Sequence, residues 1–184
     1  MDHRENSGLT YETSQQLMDQ LRYAAEALSL EFDQWGVEHI SGPGLYFVVV
    51  ADAAFHEYTD PLRGNHWPTE CCSVVGESMD DFVDAAREVA YGSDGAVLVA
   101  ADGTIQQQMV RIRSSPGKET ADFTHLDAPD WMGTKHLSAL EVSTHEEVLW
   151  AVTLSEENGR VSSFLDGTFE DYPRNDIGGR WRPD

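Results

Sequence analysis

The chain has 184 residues, with 12 Lys and Arg against 33 Asp and Glu and a formal net charge of −21. That length predicts one domain with a real core, and no apolar run reaches the length of a membrane span. The acidity leaves no basic face for direct nucleic-acid binding. The acids are spread along the chain between clear apolar strands, which argues against disorder and for adaptation to high internal salt, where screening acts over about 3 Å. The polar start, Met1-Asp2-His3-Arg4, has no apolar signal region, so a cytoplasmic protein is expected.

After a polar lead, Thr13 to Gln16 has capping-box spacing. Leu17, Leu21, Ala24, Leu28 and Phe32 then recur at helical spacing, with Ala25 and Trp35 beside them and Gly36 as the stop. This N-terminal amphipathic helix is expected to lie on the core. Ser41-Gly42-Pro43-Gly44 marks a turn. The run from Leu45 to Ala51 has no alternation, which predicts a strand buried on both faces of a layered sheet. Residues 52–72, broken by Pro61, Gly64 and Pro68, read as a long loop; His56 and His66 fall there as surface histidines. Cys71 and Cys72 are adjacent, so neither an unstrained disulfide nor a zinc site is expected; they read as small buried residues.

Ser78 caps a second helix whose buried stripe is Phe82, Ala85, Ala86 and Val89, ending at Gly92. Asp94-Gly95 turns into a strand, Ala96 to Ala100. Asp102-Gly103 signals a hairpin into Thr104 to Ile112. A loop from Ser114 to Pro129 follows. Gly133-Thr134-Lys135-His136 then opens a third helix. Val148 to Leu154 is a strand, Asn158-Gly159 a strong hairpin signal, and Val161 to Leu165 the returning strand. The residues from 171 read as a tail. The expected organisation is a lead and helix over 1–40, one domain over 41–170 and a tail over 171–184.

The chemistry gathers in three pieces. Gly133 lets the backbone approach an anion, Thr134 offers a hydroxyl, and Lys135 and His136 add donors at a helix start, where the N–H groups are unpaired and the dipole is positive. Lys135 is one of only two lysines, with Lys118. Asp94, before a Gly-Ala pair, suits a divalent ion or a hydroxyl; ordinary turn chemistry is the bland alternative. Ser155-Glu156-Glu157 closes a strand and offers a hydroxyl and carboxylates, again beside a hairpin signal. Together they suggest a nucleotide site with a divalent ion.

The order Asp94-Gly95-Ala96, then Gly133-Thr134-Lys135-His136 with Ala139 and Ser143, then Ser155-Glu156-Glu157 with Gly159, resembles the diadenylate cyclase (DAC) domain. That is the nucleotide-binding domain of the DNA integrity scanning protein and its relatives. The similarity runs from about Leu45 to about Thr168. It implies an α/β fold: a single domain with a mixed central sheet flanked by helices. It implies condensation of two ATP into cyclic di-AMP with release of pyrophosphate, using Mg²⁺ or Mn²⁺. It implies a homodimer or higher oligomer with facing sites; the flanking helix of membrane-bound relatives and the DNA-binding domains of scanning relatives are not seen, so no membrane or nucleic-acid partner is expected.

Carried over, the resemblance gives Asp94 a metal-binding and hydroxyl-activating role. Gly95 and Ala96 line the ribose and phosphate. Gly133, Thr134, Lys135 and His136 hold phosphates, with His136 counted as catalytic. Ser155 and Glu156 lie at the triphosphate, and Glu157 completes the metal site. One departure stands out. The family's Arg-His-Arg signature is Lys135-His136-Leu137 here, losing one guanidinium fork and one cation; Arg111 and Arg113 are candidate substitutes. Leu137 motivates a second reading, a catalytically weak or inactive module that binds ATP or cyclic di-AMP, and a third is an inherited scaffold without either activity.

Overall fold

The computed structural model describes residues 11–51, 53–113 and 126–178. The expected α/β class is what forms. Helix α1 spans Tyr11–Glu31, α2 Met79–Gly92 and α3 Thr134–Val142. Strands β1 Leu45–Val50, β3 Val97–Ala100, β5 Val148–Leu154, β6 Val161–Leu165 and β7 Thr168–Tyr172 make a mixed five-stranded sheet in the order β3-β1-β5-β6-β7. Strands β2 Thr59–His66 and β4 Gln108–Ile112 form a separate antiparallel pair. No helix among the described residues is long and apolar enough to cross a membrane.

β1 explains the layering. All six of its residues are buried, because it runs inside the sheet and both of its faces are covered. Leu45, Phe47 and Val49 join the core beneath α1 and α2; Tyr46, Val48 and Val50 join the core beneath α3. Phe47, Trp67 and Phe82 pack as a trio with ring centroids 5.6–6.0 Å apart. Each such fully buried aromatic contributes about 1.5–3 kcal/mol through area removed from water. Helix α2 follows its sequence signals closely: the Ser78 hydroxyl accepts from Asp81 N at 3.3 Å, and Phe82, Ala85, Ala86 and Val89 are buried.

Five local readings change. Helix α1 already includes Thr13, so that residue is inside the helix rather than its cap. It ends at Glu31, leaving Phe32 and Trp35 beyond it, with Gly36 (φ +80°) in the following turn. The 52–72 segment is not a plain loop: a 3-10 turn, Ala53–Tyr58, leads into β2, whose edge position tolerates Pro61. Strand β4 starts only at Gln108 and pairs with β2, while isolated bridges at Ala96–Val110 and Val99–Ile105 link the Ile105–Val110 stretch to the β3 region. The segment from 171 holds the end of β7 and a 3-10 turn, and Ile177 is buried in the core. Of the adjacent cysteines, Cys72 is buried but Cys71 is exposed, and both are free thiols. The side chain of His56, residues 1–10 and most of the Ser114 to Pro129 loop lie outside the described residues.

The end of α1 is fastened to two turns by one indole. Trp35 lies so close to Gly42 and Gly159 that added Cβ atoms would sit 2.2 Å from its Cζ3 and 2.7 Å from its Cε2. Trp35 Nε1 donates to the Ser29 carbonyl at 3.0 Å, and Ser29 Oγ donates to the Gly159 carbonyl at 2.6 Å. Gly42 N donates to the Glu156 carbonyl at 2.9 Å, tying the two turns to each other. Overpacking this contact is expected to be costly. Gly42→Ala should lower stability by about 1–3 kcal/mol in a denaturant titration, and Trp35→Leu in the same chain should recover part of that loss.

Candidate active site

The pairings of β1 bring the three sequence motifs to one end of the sheet. β1 and β3 are parallel with Phe47 opposite Val97, so continuing the register by three residues sets Asp94 level with Gly44. β1 and β5 are antiparallel with Leu45 opposite Leu154, so Ser155 also falls level with Gly44. Helix α3 starts at the same end. A Cβ on Gly44 would lie 3.0 Å from Lys135 Nζ and 3.2 Å from Glu156 Oε2. Tyr46, two residues on, hydrogen-bonds Ser138 Oγ at 3.1 Å and fixes the helix over β1.

The helix start itself is open. Its N-cap is Gly133, in an extended conformation with no side-chain cap, and its first turn carries no acid. Thr134 is exposed, Lys135 half-buried and His136 buried. Uncapped N–H groups with a lysine beside them are chemically suited to an anion. No ion pair ties Lys135 among the described residues.

His136 is 7% exposed, and its Nε2 has no hydrogen-bond partner among the described residues. Its ring packs against Trp131 at 5.3 Å and Phe164 at 6.4 Å. Burial pushes its pKa down from 6.5 to about 4; Lys135 and Arg160 push the same way, and Asp171 opposes them. The imidazole is therefore neutral at pH 7. The expected charge-assisted donor is instead a buried neutral ring, and the positive charge here comes from Lys135 and Arg160. Leu137 is half-buried and packs on the core beneath α3. An arginine there has to leave that contact to reach a ligand.

Asp94 is exposed, and its carbonyl accepts from Asn65 Nδ2 at 3.1 Å. Gly95 is required by the backbone: its φ is +103°, and a Cβ would sit 2.8 Å from the Val110 carbonyl oxygen. Ala96 is 1% exposed, its side chain in the core and its N–H and carbonyl both bonded to Val110. Ser155 is buried, and its Oγ accepts from Glu157 N at 3.4 Å within its own turn. Glu156 and Glu157 are exposed.

Among the described residues no group of three or more His, Cys, Asp or Glu converges as a metal cage. A Mg²⁺-type ion commonly takes one or two carboxylates and completes its shell with substrate phosphates and water. Asp94 and Glu157, both exposed at this end of the sheet, suit that open donor set. His66 is exposed on β2 and takes no part. Cavities of about 280 and 300 Å³ lie along α1, and neither is lined by a motif residue.

Arg111 and Arg113, the candidate substitutes for the missing cation, are engaged elsewhere. Both pair with Asp60 on β2, at 3.1 and 3.5 Å, and Arg113 also donates to the Glu57 carbonyl. Arg160 is the cation that the motif reading missed. It follows Asn158-Gly159 directly, and its guanidinium lies over the Trp131 ring, 4.3 Å from the centroid.

The neutral, buried imidazole makes stability depend on pH. Between pH 6.5 and 4 the unfolded chain takes up a proton at His136 while the folded chain does not. Stability from this group is therefore full above 6.5 and falls as pH drops toward 4. Compared with His136→Gln, the wild type should lose about 1–3 kcal/mol more across that window in denaturant titrations at fixed salt.

No family model matches the chain, and no curated protein matches it in sequence. Solved structures do match. A hypothetical membrane spanning protein from Bacillus cereus aligns with a TM-score of 0.54 and 18% identity, over 84% of this chain and 62% of that one. This chain thus spans just under two thirds of that protein's length. A double-cysteine mutant of DacA from Staphylococcus aureus aligns with a TM-score of 0.48 and 16% identity, over 92% of each chain. The likeness to the Bacillus cereus protein is one of fold.

Proposed function

We propose that the chain is a diadenylate cyclase-like nucleotidyltransferase that condenses two ATP into cyclic di-AMP. The observation that carries this reading is the register of β1. It gathers Asp94, Lys135 and the Ser155-Glu156-Glu157 turn, motifs 20 to 60 residues apart in sequence, at one end of the sheet. In the reaction the 3′-hydroxyl of one ATP attacks the α-phosphorus of the other. The new P–O bond replaces the bond to pyrophosphate, the hydroxyl proton is lost, and a second such step closes the ring. The protein's task is to position the two nucleotides and neutralise developing charge.

Asp94 sits where a carboxylate can accept the hydroxyl proton or hold a cation. Asp94 and Glu157 would hold a Mg²⁺ or Mn²⁺ ion, which would supply charge neutralisation and lower the hydroxyl pKa. Thr134, Lys135 and the free N–H groups of α3 receive phosphate oxygens, as the uncapped start allows. Neutral His136 packs beneath them and shapes the helix start from inside. One site holds one ATP, so two copies of the chain face each other in the active unit.

Leu137 and the neutral His136 favour one alternative, a module that binds ATP or cyclic di-AMP without turnover, because together they leave fewer charges for the transition state. Incubation with ATP and Mn²⁺ in molar KCl, followed by mass spectrometry, separates the two. The enzyme reading predicts cyclic di-AMP, reduced on the order of 10²-fold or more in Asp94→Asn. ATP bound but unconverted, beside a cyclase that works in the same buffer, moves the assignment to the binding module.

A further inference from the structure

Besides Lys135 on α3, the fold places a second cation at the start of that helix, Arg160, which does not belong to the helix. Arg160 lies where the β5–β6 hairpin returns, and its carbonyl accepts from Ser155 N at 2.9 Å. This backbone bond ties the start of the Ser155-Glu156-Glu157 turn to the Arg160 backbone. The guanidinium lies over Trp131, three residues before α3, and Nη1 is paired with Asp171 on β7. The side chain is 22% exposed, so it reaches the surface at this end of the sheet.

Five other arginines are committed away from here, while Arg63 is exposed on β2. Arg87 pairs with Glu31 and Asp84, and Arg174 donates to the carbonyls of Ser29 and Leu30. Arg22 lies between Glu26 and Glu170, and Arg111 and Arg113 face Asp60. In a chain of −21 net charge, Lys135 and Arg160 are two cations at an uncapped helix start, with Asp171 paired to Arg160 and Glu156 beside the Lys135 end at Gly44. The buried His136 Nε2 next to them lacks a partner among the described residues.

We infer that Arg160 binds the pyrophosphate portion of ATP in this site, supplying from the β5–β6 hairpin the cation that α3 lacks at Leu137. This rests on the nucleotide reading above. The geometry suits the role. Asp171 holds one end of the guanidinium and Trp131 one face, so the fork is oriented before a ligand arrives. Among the described residues Nε and Nη2 have no partner, which leaves them for two phosphate oxygens, the bidentate arrangement that a lysine cannot reproduce. Asp171 is a positioning residue: it acts on the ligand only through Arg160.

Equilibrium dialysis in molar KCl without a divalent ion, so that ATP is not consumed, tests this, using ATP and cyclic di-AMP as probes. Cyclic di-AMP has no pyrophosphate portion and so reports on the rest of the site. Arg160→Ala is expected to weaken ATP about 10–100-fold while leaving cyclic di-AMP within about 3-fold. Arg160→Lys should recover only a small part of the ATP loss. Equal losses for both ligands, or no loss for either, overturn the inference and leave Arg160 a structural partner of Trp131 and Asp171. If Arg160→Ala does not fold, Arg160→Gln and Arg160→Lys carry the same comparison. A wild type that binds neither probe removes the nucleotide reading itself, a result distinct from a wild type that binds both while the variants bind unchanged.

Discussion

Everything at the candidate site hangs on the two pairings of one strand. β1 takes β3 as a parallel neighbour and β5 as an antiparallel one. A parallel neighbour enters the sheet at the same end, so the turn before β3 lies beside the turn before β1. An antiparallel neighbour leaves at that end, so the turn after β5 joins them. Shifting either register by one residue would turn β1's side chains to opposite faces and send Phe47 and Val48 into the wrong cores. The hydrophobic demand of a strand buried on both faces thus fixes, as a by-product, which polar turns meet.

Those turns are then locked by contacts that leave little room for adjustment. Trp35 fills the space a side chain would need at Gly42 and Gly159, and the Ser29 hydroxyl is bonded to the Gly159 carbonyl. The N-terminal helix is therefore part of the site's support and shares the core beneath the sheet through Leu17, Leu21, Ala24 and Leu28. Against this apolar frame the charges behave differently. The strong acidity is spread over the surface, while Lys135 and Arg160 are held at the uncapped start of α3, with Arg160 anchored by Trp131 and Asp171.

Much of this was legible in the sequence where local signals and tertiary packing agree. The β1 run, the Ser78-capped helix, Val148 to Leu154, the Asn158-Gly159 turn and Val161 to Leu165 all formed as read. β2 was missed because Pro61 and Gly64 weaken any strand pattern, and only its edge position permits them. β7 had a signal that went unused: Asp166-Gly167 follows Leu165, and both residues adopt positive φ (47° and 73°) as a tight hairpin turn requires. At the site, the spacing of motifs gave the residues that gather but not their environments. The burial of His136 and the placement of Arg160 over Trp131 depend on neighbours from α3, β6 and β7 at once. No one-dimensional pattern carries that information.

The central claim is that the end of the sheet at Gly44 receives a nucleoside triphosphate. A crystal structure grown in molar salt with ATP and Mn²⁺ tests it most directly. The account predicts the triphosphate at the first turn of α3, within hydrogen-bond reach of Lys135 and of the N–H groups beyond Gly133, with the ribose toward Asp94. A nucleotide bound elsewhere, such as in the cavities along α1, or this end left empty at saturating ATP, would contradict it.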